Sequence, residues 1–355
     1  MGDVKRESAL EYALAILATA IGAGFASGRE TVVFFSRFGS YSWLGIAITS
    51  AIFGGLIAGL MRLCAHFKSG AFSELAARAL GRVGGTICSA MYAVMLLITA
   101  GAMASGISEV ASVTLAVPFA REIGLALGVA VCAVCAARGV KALAAGGSFL
   151  LPICALLYIS IARHAPHSSA IASAPPADAR LSIPFAIGYA CLNVTLCCGV
   201  LSEIGARVNC GQRKRIALYF VPLISALLGA SNAAILPHAA RLFNEPLPII
   251  QLSRGSTAAA LLAIAALLLA MATTLTALLR SISRMMPARF PGWLSLTLCA
   301  AGAAACGAIG FNSIIGMAYP IMGWAGALAL LAILIVGGRK ARIQTGKSNI
   351  KSNNK

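Results

Sequence analysis

Ionised side chains are scarce in this chain. Of its 355 residues, 11% are Asp, Glu, Lys or Arg, whereas soluble globular domains carry about 25%. Ten of them are acidic, too few and too scattered for an extended soluble surface. The four histidines, His66, His164, His167 and His238, form no ligand constellation, and the 11 cysteines sit mostly within apolar runs, so no metal centre is expected. Cys132-x-x-Cys135 lacks the strand, loop and helix setting of a redox motif; with the adjacent Cys197-Cys198 it reads as small packing residues. No G-x-x-x-x-G-K-[ST] is present, which argues against ATP hydrolysis through a P-loop. No carboxylate, histidine or cysteine cluster converges within the apolar runs, so neither an enzyme nor a bound cofactor is expected.

What fills the sequence instead is 59% hydrophobic residues, with a mean hydropathy of +0.89. Apolar runs of roughly 20 residues, each long enough for a bilayer core of about 30 Å, recur almost end to end. They divide into about ten spans: Ala9 to Phe38, Tyr41 to Leu63, Val83 to Ile107, Glu122 to Arg138, Gly139 to Ala162, Pro184 to Ala206, Ile216 to Ala239, Ala258 to Ile282, Trp293 to Asn312 and Ile314 to Val336. The expected class is an all-α integral membrane protein with the lipid bilayer as its partner. A net charge of +18 would suit nucleic acid, but its placement follows the loops. With the N-terminus cytoplasmic, most Lys and Arg fall on that side, among them Arg62, Lys68, Arg78, Arg82, Arg213, Lys214, Arg215, Arg280 and Arg284, while Arg37, Arg121, Arg163, Arg180, Arg241 and Arg254 fall opposite. This positive-inside pattern puts both termini in the cytoplasm and calls for no nucleic-acid partner.

The polar connection from Arg163 to Ile183 divides the spans five and five, as repeats 9–162 and 184–337 between a short N-terminus, 1–8, and a basic tail, 338–355. An odd number per repeat inverts the second relative to the first, the plan of many secondary transporters, in which the first and sixth helices are broken at the binding site. The first span carries the most informative stretch, Ala18-Thr19-Ala20-Ile21-Gly22-Ala23-Gly24-Phe25-Ala26-Ser27-Gly28-Arg29-Glu30. Three glycines lower its helical stability by roughly 1 kcal/mol each relative to alanine, and Ser27 with Glu30 has capping-box spacing for a new helix. The sixth span has Asn193 and Thr195 near its centre, flanked by Gly188 and Gly199; polar groups at that depth tend to face the bundle interior. The bland readings are close helix packing for Gly24 and Gly28 and interhelical hydrogen bonding for Asn193.

The run Gly22-Ala23-Gly24-Phe25-Ala26-Ser27-Gly28-Arg29-Glu30, followed by Phe34-Phe35, resembles the signature of YkvI-type bacterial membrane proteins. These in turn resemble the amino acid–polyamine–organocation transporter superfamily, with its LeuT-like five-plus-five fold. The resemblance extends by span count over residues 9–337 and implies a cation-coupled carrier of an amino acid or similar small organic solute; a non-transporting sensor on the same fold is the alternative. It implies a substrate site at Gly22 to Gly28 with Tyr189, Asn193 and Thr195, joined by Tyr92. Related chains carry Gln where this one has Arg29; Arg29 and Glu30 are candidate gate or proton-carrying residues. The resemblance also implies a sodium site in the A-x-x-[ST]-[ST] pattern of Ala270, Thr273 and Thr274, with carbonyls near Ala18 and Ile21. Lys141 sits too early in the fifth span to replace that ion. The tail from Gly338 has little to pack and is expected to be disordered on the membrane surface.

Overall fold

The computed structural model describes residues 8–20, 22–115, 117–138, 152–153, 155–161, 178–287 and 289–353, and every regular element among them is helical. The first span becomes three pieces, α1 (Ala9–Ala20), α2 (Ala23–Ala26) and α3 (Arg29–Phe34), followed by a 3-10 turn at Ser36–Phe38. Then come α4 (Tyr41–Phe67), α5 (Phe72–Thr114), α6 (Ala120–Arg138) and α7 (residues 155–161). The second half holds α8 (Ser182–Arg207), α9 (Cys210–Ile235), the short α10 (Ala239–Leu242) and α11 (Pro248–Ser253), and α12 (Thr257–Met285). It closes with α13 (Gly292–Gly307), α14 (Phe311–Ser313), a π-helical turn at Ile314–Ala318 and α15 (Tyr319–Asn353).

Seven of the described helices are long and apolar enough to cross a membrane, and α1 and α13 are shorter apolar helices. Large side chains such as Leu127, Leu218 and Leu328 are more than half exposed, the condition of a surface that meets hydrocarbon rather than water. This is a multi-pass membrane protein. Lys141 and most of the fifth span lie outside the described residues.

Three boundaries depart from the sequence reading. The third span is the later part of a longer helix that kinks at Gly81, whose φ of 83° an L side chain rarely adopts. The ninth span stops at Gly307, and Gly310, with φ 98°, starts the tenth, so the division falls ahead of Asn312. The tail is helical as far as Asn353; Lys340 Nζ donates to the Arg78 carbonyl at 3.4 Å, and His66 Nε2 lies 2.9 Å from Gln344 Oε1.

The larger correction concerns the sixth span. It is one continuous helix, α8, with no break at Gly188, Asn193 or Gly199. Asn193 Nδ2 donates to the Tyr189 carbonyl at 3.0 Å and the Thr195 hydroxyl to the Cys191 carbonyl at 2.7 Å. Both polar groups are thus satisfied one turn back on their own helix, and the ladder has no reason to open. Packing here rests on Gly323 of α15, where a Cβ would come within 2.5 Å of the Gly188 carbonyl oxygen; a Cβ at Gly188 itself would meet only Trp324 Nε1 at 4.0 Å. Small residues let helices approach closely where lipid supplies no hydrophobic drive.

Two groups of helices organise the packing. In one, α1 and α4 pack on α8 and α9; in the other, α5 packs on α6, α12 and α13; α15 leans on α8 and α5. A buried polar network fastens α3 and its turn to the first group. Thr31 Oγ1 and Ser231 Oγ are 2.7 Å apart, and Asn232 accepts from the Ser36 hydroxyl at 2.8 Å while donating to Ser42 Oγ at 2.9 Å. The pieces of the first span lie at the seam, α2 against α5 and α12, α3 against α8 and α9.

Candidate functional site

Interrupting a helix at membrane depth frees carbonyls that need partners within the protein, and each of those from Phe25 to Ser27 has one. The Tyr158 hydroxyl, from α7, donates to the Phe25 carbonyl at 2.6 Å and lies 3.2 Å from that of Ala26. The Ser27 carbonyl accepts from the Ile249 N–H of α11 at 3.0 Å. Phe25 further anchors the break by its ring, 5.6 Å from that of Tyr158 in an edge contact.

The capping box is not formed. Gly28 caps α3 with φ 82° and no side-chain hydrogen bond; the Ser27 hydroxyl donates to the Gly24 carbonyl at 2.8 Å and accepts from the Arg29 N–H at 3.2 Å. Left-handed backbone at position 28 turns Glu30 away from the Ser27 N–H. A Cβ at Gly28 would also meet Ile235 Cδ1 at 2.9 Å. Gly24 answers a different demand, since a Cβ there would run into the carboxyl group of Glu30. Gly22 is half-buried with open space beside it, and Ala26 is buried. Ala23 lies in α2.

Glu30 is 4% exposed. Its Oε2 accepts from the Tyr189 hydroxyl at 3.0 Å, and it is in no ion pair among the described residues. Tyr189 is held by two ring contacts of 5.0 Å, to Phe34 and to Phe35. The structure therefore brings Gly24, Glu30 and Tyr189 together at the seam. Asn193 is one turn further along α8, and Thr195 turns to α15, where a Cβ at Gly326 would meet its hydroxyl. Tyr92 is remote from Glu30: its hydroxyl reaches the Leu196 carbonyl at 3.5 Å, seven residues or about 10 Å along α8 from Tyr189.

Arg29 points the other way. Its Nη1 donates to the carbonyls of Phe243 and Glu245, and its Nε–H is buried without an acceptor.

No family model matches the chain. In sequence it is similar to the uncharacterised membrane protein YkvI of Bacillus subtilis (strain 168), with 28% identity over 151 residues, 42% of this chain; the match spans 43% of that relative's length. Solved structures overlay far more of it. MhsT in complex with L-phenylalanine gives a TM-score of 0.66 at 15% identity over 90% of this chain and 87% of that one. Mhp1, inward facing, gives 0.64 at 13% over 92% and 76%. A substrate-bound, outward-open Na+-coupled sialic acid symporter gives 0.61 at 13% over 95% and 90%. The fold is LeuT-like.

Within the LeuT-like bundle, the residues considered for sodium are only partly brought together. Ala18 is half-buried in the last turns of α1, and Ile21 lies outside the described residues. Ala270 is buried on α12, which packs on α2. The Thr273 hydroxyl donates to the carbonyls of Leu269 at 2.8 Å and Ala270 at 3.0 Å, and Thr274 is half-buried. Sequence reasoning missed Tyr158, which holds the break, because a tyrosine in an apolar run carries no signal of a partner 133 residues away. It also missed Phe243, whose carbonyl receives Arg29.

Proposed function

We propose that this protein is a secondary active transporter of the bacterial cell membrane, a cation-coupled carrier of an amino acid or similar small organic solute, with both termini cytoplasmic and its two repeats inverted. The observation that carries the reading is the interrupted first span, set at the seam of two helix groups with the Glu30 carboxyl folded over Gly24. A seam between packed groups is where one group moves against the other to expose a central site to alternate sides. The solute binds among Gly22 to Gly28, beside Tyr189. Support comes from the neighbours of like fold, described as Na+-coupled in one case, as holding L-phenylalanine in another, and, for Mhp1, as a nucleobase-cation-symport-1 family transporter.

Coupling by sodium uses carbonyls at the end of α1, where the helix dipole is negative, with Ala270, Thr273 and Thr274 of α12. Neutral oxygen donors suit a weakly held monovalent ion. The burial of Glu30 without a cationic partner favours a second reading, coupling by a proton. Uptake into proteoliposomes under imposed sodium or pH gradients separates them. Sodium coupling requires that Thr273→Ala/Thr274→Val lose sodium dependence and Glu30→Gln keep it; proton coupling requires uptake indifferent to sodium, with pH dependence lost in Glu30→Gln and kept in Thr273→Ala/Thr274→Val. Solute binding without accumulation under either gradient would make the protein a sensor instead.

A further inference from the structure

Arg29 and Arg37 are two guanidiniums that form no ion pair among the described residues. Arg29 opens α3 and is 6% exposed; Arg37, in the turn that follows, is half-buried. They meet at Phe243, whose carbonyl accepts from Arg29 and whose ring centre lies 5.6 Å from Arg37 Cζ. Arg37 is held otherwise by the rings of Phe38 and Phe185. The Nε–H of each arginine is buried with no acceptor.

The shortage of acid leaves few partners to consider. Of the ten carboxylates, Glu109 and Glu203 pair with Arg121 and Arg207. Glu11, Glu74 and Asp178 accept from nearby backbone N–H groups, and Glu30 from Tyr189. Glu122 is exposed on α6, and Arg29 reaches the main-chain oxygen of Glu245. Asp3 and Glu7 lie outside the described residues. Two guanidiniums gathered on Phe243, each with a buried unused Nε–H and no ion pair among the described residues, form an unfavourable arrangement that a carboxylate resolves, because its two oxygens match the planar fork of arginine.

We propose that Arg29 and Arg37 receive the carboxylate of an organic solute. The inference rests on the carrier reading and narrows its substrate class to solutes that carry an acid group, received at the start of α3. The rival explanation is that the arginines only staple the α10 segment in place through Phe243.

The test uses full-length protein in lipid nanodiscs and matched pairs of probes: acetate with acetamide, benzoate with benzamide, and N-acetylleucine with N-acetylleucinamide, with chloride as a plain anion. At least one acid is expected to raise the thermal midpoint saturably while its amide and chloride do not. Arg29→Gln and Arg37→Gln are each expected to weaken that acid by ~10-fold or more, the loss of a charge-assisted hydrogen bond. Wild-type protein on which acid, amide and chloride act alike overturns the proposal whatever the variants do, and so does equal stabilisation of the double variant. Uptake by the same preparations keeps the two readings apart. Concentrative uptake of a solute lacking a carboxylate, unchanged in the double variant, removes the anion site and keeps the carrier; acid binding lost in the double variant, with no accumulation, does the opposite.

Discussion

The first and sixth spans each open one half of the sequence, and both carry glycines and polar residues in their middle, yet one is cut into three pieces and the other runs unbroken from Ser182 to Arg207. The difference lies in where the polar groups find partners. In α8, Asn193 and Thr195 bond to carbonyls four residues back, so the helix satisfies itself. In the first span, Gly28 takes a left-handed conformation, Glu30 reaches Tyr189 on another helix, and Tyr158 and Ile249 come from two more to take the freed carbonyls. A break at membrane depth is thus a property of the surroundings as much as of the segment. Glycine permits it; distant donors hold it.

The sharpest way to break the contrast is Gly24→Leu. Its side chain would fill the space of the Glu30 carboxyl, and ligand affinity is expected to fall by ~100-fold or more, equivalent to about 3 kcal/mol, while membrane insertion persists. Titration of the purified variant, set beside its elution as a single folded species, measures this; unchanged affinity would move the ligand elsewhere. A middling effect is expected of Tyr158→Phe, which leaves the Phe25 carbonyl with the Gly28 N–H alone and takes from the Ala26 carbonyl its hydroxyl partner, at a cost of about 1–3 kcal/mol. Thermal unfolding and proteolysis around residues 22–28 report it, and protection equal to wild type would mean that the break does not need its outside donor. The smallest effect belongs to Thr195→Val and Asn193→Ala. Each removes a hydrogen bond internal to α8, and stability is expected to change by about 1 kcal/mol or less, with affinity unaltered. A large loss of affinity in either variant would give α8 a direct part in binding and erase the distinction between the two spans.

Much of the architecture was legible because the bilayer leaves the chain few options. Runs such as Tyr41–Phe67 and Thr257–Met285 are long and apolar, and a spanning segment of that kind has to be helical. The interruption after Ala20 was legible from glycine spacing. What pattern alone does not carry is the direction of a polar side chain: Asn193 has the same one-dimensional signature whether it faces a ligand or its own helix. Ser27 and Glu30 have capping-box spacing as well, and the φ of Gly28 undoes it. Phe243 entered no sequence argument because its contribution to Arg29 is a main-chain oxygen, an atom that every residue has.

The contact between Gly188 and Gly323 has a consequence for heredity. A Cβ at position 323 would overlap the backbone of α8 at three atoms, the nearest at 2.5 Å; backbone, unlike a flexible side-chain tip, does not swing aside. Every coding change of a glycine codon installs at least a Cβ, so the gene has no mild missense variant to explore at this site. Drift there requires a second change that first separates α8 from α15, and that change alone opens a void in a tightly packed crossing. The constraint falls on one partner only: position 323 is expected to stay glycine, whereas at position 188, where a Cβ would meet only Trp324 Nε1 at 4.0 Å, side chains can come and go without parting the two helices.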